Sequence, residues 1–198
     1  MNTPRGLCPP AKLRSLFPVA SLLAGLGLFA PTTPPLRAAE PLQPGQWWGT
    51  IELGAGQLHR TTPGFSNNSG RFYLGLAGGI AVDPHVLLGA EFSGWLIQAE
   101  DVNDPTKGSG ISRVFAVARI YPQSTSTLHF QIGAGSITGW DKSPSSSYRH
   151  GTGWEAGVGY DAVVGTRGVI TPFLRYSSGK AGNLTLSAVT IGVGYTWR

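Results

Sequence analysis

From Ala188 to Arg198 the chain alternates with a period of two: Val189, Ile191, Val193, Tyr195 and Trp197 fall on one side, and Ala188, Thr190, Gly192, Gly194 and Thr196 on the other. Successive strand side chains point to opposite faces, so this is a strand with one large apolar face and one small, weakly polar face. The pattern recurs in seven further segments, each roughly ten residues long. Their apolar parity classes are Trp47, Ile51, Leu53 and Ala55; Phe72, Leu74, Leu76 and Ile80; Val86, Leu88, Ala90, Phe92 and Leu96; and Val114, Ala116, Ala118 and Ile120. They continue with Leu128, Phe130, Ile132 and Ala134; Trp154, Ala156, Val158 and Tyr160; and Ile170, Pro172, Leu174 and Tyr176. Beyond residue 40 no helical repeat competes with this rhythm, and no apolar run reaches the ~18 residues of a membrane-crossing helix.

The front of the chain sets the compartment. Arg5, Lys12 and Arg14 precede an apolar run from Leu16 to Ala30, followed by a small-residue stretch up to Ala39. No acidic residue occurs before Glu40. This reads as a secretory signal over 1–39, leaving 40–198 as one domain. The run is interrupted by Pro18 and is short for a membrane anchor. The only cysteine, Cys8, lies ahead of the apolar run, so neither a disulfide nor a lipid-bearing cysteine is expected in the exported chain. Of fifteen basic residues, four (Arg5, Lys12, Arg14 and Arg37) belong to the signal, leaving eleven against ten acidic. The apparent basicity is an export feature and gives no case for nucleic-acid binding.

The connections alternate in length. Short ones lie around Val82–His85, Pro122–Ser126 and Val163–Gly168; longer ones run Arg60–Gly70, Gln98–Gly110 and Trp140–Gly151, with Gly179–Leu184 intermediate. Short turns at one end and long polar loops at the other fit an antiparallel up-and-down transmembrane barrel, apolar outside and polar within. Aromatics support the same orientation. Trp47, Tyr160, Tyr195 and Trp197 fall near the turn ends, whereas Phe72, Trp154 and Tyr176 fall near the loop ends, giving two interfacial bands. Pro172, inside the seventh strand, predicts a local bulge.

From about Gln46 to Arg198 the chain resembles the small eight-stranded OmpA/OmpX-type outer-membrane barrels. The likeness is carried by Gly153-Trp-Glu-Ala-Gly-Val-Gly-Tyr160, by Thr171-Pro-Phe-Leu-Arg-Tyr176 and by the aromatic-ended last strand. The resemblance implies an all-β, eight-stranded barrel in a bacterial outer membrane, in contact with its lipid. It also implies delivery by the barrel-assembly machinery, which reads a terminal aromatic. Tyr195 and Trp197 would form that signal, although Arg198 follows Trp197; removing Arg198 is expected to be neutral or helpful.

The inward parity class carries nearly all strand charges: Glu52, Glu91, Glu155 and Asp161 against Arg71, Arg113, Arg119 and Arg175. Eight strands leave an interior that side chains can fill, so these charges are expected to pair into a lumen network and plug the barrel. Tyr73, Trp95, Tyr121, His129 and Gln131 share that face. An arginine introduced at outward Ala116 is expected to cost more than one at inward Val117.

Catalysis finds little support. His129 has inward parity, with Gln131 two residues on, whereas a lipid-modifying barrel would hold a His/Ser/acid set on its lipid face. His150 and Ser145–Ser147 share a loop without an acid of fixed geometry, and Asp101, Asn103 and Asp104 do not match a Ca²⁺ loop. No metal or cofactor is therefore expected. The functional expectation is a non-enzymatic barrel whose loops contact an extracellular ligand or envelope components. A narrow small-solute pore and an envelope-lipid-modifying enzyme are the alternatives. A lipocalin-like soluble barrel would need the opposite polarity.

Overall fold

The computed structural model describes residues 42–62, 65–97, 109–141, 147–164 and 168–198. The expected signal segment and the Asp101/Asn103/Asp104 cluster lie outside the described residues. The strands are β1 (Trp47–Thr62), β2 (Phe65–Asp83), β3 (Val86–Ile97), β4 (Ser109–Ile120), β5 (Leu128–Asp141), β6 (Ser147–Tyr160), β7 (Ala162–Val164), β8 (Gly168–Ala181) and β9 (Leu184–Trp197). All pair antiparallel with their neighbours, β1 pairs with β9, and a β6–β8 ladder closes the ring. β7 continues β6 along the same partner, so the barrel has eight staves.

Closure removes every edge within the wall and leaves the side-chain parity to decide what faces where. The outward set comprises the apolar residues of the alternating segments: Ile51, Leu53, Leu74, Leu76, Phe92, Val114, Ile132, Leu174, Ile191 and Val193 are all exposed. The inward set is buried, from Thr50 and Glu52 on β1 to Thr190 and Thr196 on β9. A surface that is apolar all round, over a core that holds the charges, is the polarity of a barrel solvated by lipid.

Three local features differ from the sequence reading. The β1–β2 ladder continues to Thr62↔Phe65, and β5–β6 to Asp141↔Ser147, so most of the expected Arg60–Gly70 and Trp140–Gly151 loops is strand. Polar composition suits a hairpin standing in water as well as it suits a loop, which is why the alternation fades there while the pairing does not. β8 and β9 join through a two-residue turn, Gly182-Asn183, and Gly182 sits at φ +61°, a conformation that hairpin turns of this length reserve for glycine.

Pro172 makes no bulge. Its register with β9 runs unbroken from Thr171↔Gly194 to Phe173↔Gly192. The effect falls on the other side, where the β6–β8 ladder stops at Gly159↔Phe173 and resumes with β7 at Ala162↔Ile170 in the same register. Proline removes one donor without inserting a residue, so the ladder is interrupted rather than shifted. The register shift that does occur lies between Ala81 and Asp83, at the β2–β3 turn.

Candidate functional site: the charged lumen

Seven of the eight staves send a side chain into one polar layer. Glu52 comes from β1, Tyr73 from β2, Glu91 and Ser93 from β3, Arg113 and Arg119 from β4, Gln131 from β5, Glu155 from β6 and Arg175 from β8. Arg175 is the hub. Its Nη1 and Nη2 donate to the two carboxylate oxygens of Glu52, each at 3.0 Å, and Nη1 also reaches Glu91 Oε2 and Tyr73 Oη at 2.9 Å. Arg119 donates to Glu52 Oε1 at 3.0 Å and to Gln131 Oε1 at 2.9 Å. The Gln131 amide in turn donates to Glu91 and Glu155, both at 2.9 Å. Arg113 donates to Ser93 and lies 3.4 Å from Glu91 and 3.2 Å from Glu155.

Three glutamates thus face three arginines, and the layer closes electrically. It also closes sterically. Arg119 stacks over Trp48 at 4.5 Å, Arg175 over Phe173 at 4.7 Å and Arg113 over Phe115 at 5.0 Å. The planar guanidinium satisfies carboxylates at its rim and aromatic rings at its face, which a lysine cannot do. Glycine makes the room: a Cβ at Gly75 would meet Tyr73 Oη at 2.7 Å, and one at Gly157 would meet Arg175 Cγ at 3.0 Å.

A second cluster lies at the turn end. Asp161, in the gap between β6 and β7, accepts from Thr171 Oγ1 and from Tyr121 Oη, each at 2.8 Å. His129 Nδ1 stands 3.4 Å away, and Arg198 Nη2 reaches the same carboxylate. The glutamates and Arg113, Arg119 and Arg175 are therefore brought together, whereas Asp161 belongs to a separate group. Arg71 does not join the layer. Tyr73, two residues nearer the turn end, already fills the lumen at the level of the glutamates, and the Arg71 guanidinium donates to the Gly70 carbonyl at 3.4 Å near the loop end. Sequence reasoning missed Ser93, Thr171 and Arg198. Ser93 has the parity of Glu91, Thr171 that of Arg175 and Arg198 that of Thr196, so the period of two marks all three as inward.

The Arg198 contact with Asp161 sets a stability cost against the expected gain from exposing a terminal aromatic. Removing Arg198 takes a cation from a buried carboxylate, and Arg198→Ala is expected to lower stability by about 1–3 kcal/mol in urea unfolding from liposomes. An unchanged midpoint would show that Tyr121 and Thr171 suffice.

On the loop side of the charged layer Leu58, Trp95, Ile111, Ile137 and Leu186, together with Ser177 and Arg113, line a partly open cleft of about 10 Å³. Below it Leu42, Pro84, Leu87, Tyr121 and Arg198 surround another of about 10 Å³. Each is room for about one water molecule. Leu42 is drawn under the mouth because Gly45 N–H donates to the Ala81 carbonyl and Ala81 N–H donates to the Gln46 carbonyl.

No protein-family model matches the chain, and no curated protein matches it either. Solved structures do. Ail, the attachment invasion locus protein of Yersinia pestis, superposes with a TM-score of 0.56 at 14% identity over 78% of this chain and 100% of that one. The Ail complex with the heparin analogue sucrose octasulfate gives 0.52 at 16% identity, over 77% and 99%. Neisserial surface protein A gives 0.53 at 15% identity, over 75% and 96%. This chain has the fold of the small eight-stranded outer-membrane barrels. Identities this low carry the architecture alone, and in such a barrel the outward Trp197 and Tyr195 occupy the turn-end aromatic band opposite Trp154 and Tyr176. The Trp197 ring lies flat enough on β1 to leave no space for a Cβ at Gly49, so the closing strand is covered where it meets the first.

Proposed function

We propose that the protein is a sealed, non-enzymatic barrel of the bacterial outer membrane that presents its loop-side hairpins for surface or envelope contacts. The observation that carries this reading is the triple closure of the lumen: an apolar layer, a neutral layer of three glutamates and three arginines, and Leu42 at the turn-end mouth. A pore needs a continuous wet path, and these layers offer voids of single-water size. His129 is buried against Asp161 inside the lumen, away from any lipid substrate, which argues against the enzymatic alternative. The elongated β1–β2 and β5–β6 hairpins support a contact role. So does the fold of Ail, a protein whose structure holds a heparin analogue. Tyr195 and Trp197, outward and half exposed on the closing strand, are proposed as the signal read by the barrel-assembly machinery.

In planar bilayers the folded barrel is expected to give no discrete conductance steps. Reproducible steps from protein that still migrates as a folded species in unheated electrophoresis would replace the sealed barrel with the pore.

A further inference from the structure

The outward face of the barrel is not uniform around its loop end. On β6 and β8, Trp154 and Tyr176 pack ring against ring, with centroids 5.5 Å apart. The register places Trp154 beside Ser178 and Thr152 beside Lys180. His150 follows on β6, 3.2 Å from Thr138 Oγ1 on β5. All six of these β6 and β8 residues except Ser178, which is half-buried, are exposed, and Trp154, Tyr176, Thr152, Lys180 and His150 share the outward parity. Lys180 is the one lysine among the described residues. In the other staves the described outward positions beyond the aromatic level hold no lysine or arginine; they include His59 on β1, Asn68 on β2, Ser112 on β4, Ser136 and Thr138 on β5 and Thr185 on β9.

An interfacial aromatic pair marks where hydrocarbon gives way to headgroups. Lys180 lies four residues beyond Tyr176 along β8, roughly 13 Å of strand. With a strand tilt of about 40° that is roughly 10 Å along the membrane normal, the depth of lipid phosphates. The sector therefore offers, in order from the membrane centre, aromatic rings for the acyl–headgroup boundary, a serine and a threonine, and then an ammonium and an imidazole. No described acidic side chain lies on the outward face of this sector.

We infer that the β6–β8 wall carries a docking site for the phosphorylated headgroup of an anionic lipid in the loop-side leaflet, with Lys180 as the charge, Thr152 and Ser178 as donors, and Trp154–Tyr176 as the platform beneath. The inference rests on the transmembrane reading proposed above and adds a defined lipid partner to one sector of it. The occupant is a lipid because Lys180 shares the outward, lipid-side face with the aromatic pair and lies beyond it toward the loop end, and charge complementarity makes it anionic.

The test compares lipid selectivity at the barrel wall in phosphatidylcholine vesicles doped with spin-labelled phosphatidylglycerol or spin-labelled phosphatidylcholine. The wild-type barrel is expected to hold the anionic label in preference to the neutral one. Lys180→Gln should reduce that preference by about fivefold at low salt, the weight of one cation at an anionic surface. Lys180→Arg should retain it, and Asn68→Ala, on a distant stave, should leave it unchanged. Added salt should erode the wild-type preference, a measurement that needs no variant to fold. Equal retention of both labels by the wild type, or a preference that survives Lys180→Gln or is indifferent to salt, overturns the site. Failure of the barrel reading looks different: heated and unheated protein would then co-migrate in electrophoresis.

Discussion

Arg175→Ala is expected to destabilise the barrel by about 3–5 kcal/mol, because it strips a buried carboxylate pair of its shared cation. Arg175 makes a two-pronged contact with Glu52 and a further one with Glu91, and it is 4% exposed. In water the stranded glutamates would hydrate; in the sealed barrel proposed above, the apolar side chains on the loop side and Leu42 at the turn end would keep water from them. The loss should be partly recovered in Arg175→Ala combined with Glu52→Gln, since the neutral amide removes one unpaired charge. Arg175→Lys should fall between, because a point charge cannot bridge two carboxylates and lie over the Phe173 ring as well. Urea unfolding in liposomes reads all three. A loss for Arg175→Ala below about 1 kcal/mol, the scale of an exposed pair, would mean that water reaches the layer and the lumen is not sealed.

Ala116→Arg is expected to cost about 2–4 kcal/mol, since Ala116 is exposed on the outward face between Val114 and Ala118, far from both aromatic bands. Ala116→Leu should be close to neutral, because added apolar surface faces lipid rather than a packed core. The same urea experiment measures both, and equal losses would argue that this face is packed against protein. The sequence suggests Val117 as the mild comparison, and the structure withdraws that choice. Val117 is 3% exposed, and its Cγ1 lies 3.0 Å from where a Cβ of Gly133 would stand. The lumen at that height already holds Arg113 and Arg119 from the same strand, so Val117→Arg adds both a clash and an unpaired charge.

The parity of Glu52, Glu91, Glu155, Arg113, Arg119 and Arg175 was legible because a strand has a strict period of two, and one misassigned residue would have inverted a whole face. For the same reason eight alternating segments, with outward aromatics at both ends, sufficed to define the barrel and its polarity. What parity cannot give is height along the barrel. That depends on the stagger between staves, which is set by pairing partners distant in sequence. Only the folded register shows that Arg71 stands above Tyr73, outside the layer it was expected to join, and that Asp161 lies far enough toward the turn end to take Arg198 instead. Pro172 is a similar case: its missing donor was certain from the sequence, but whether β6 or β9 would lose a ladder bond depended on which side of β8 its nitrogen faced. Charge, alternation and polarity are properties of single strands and survive in the bare sequence. Which charges meet, and how tightly they close the lumen, are properties of the stagger, and these only the tertiary structure decided.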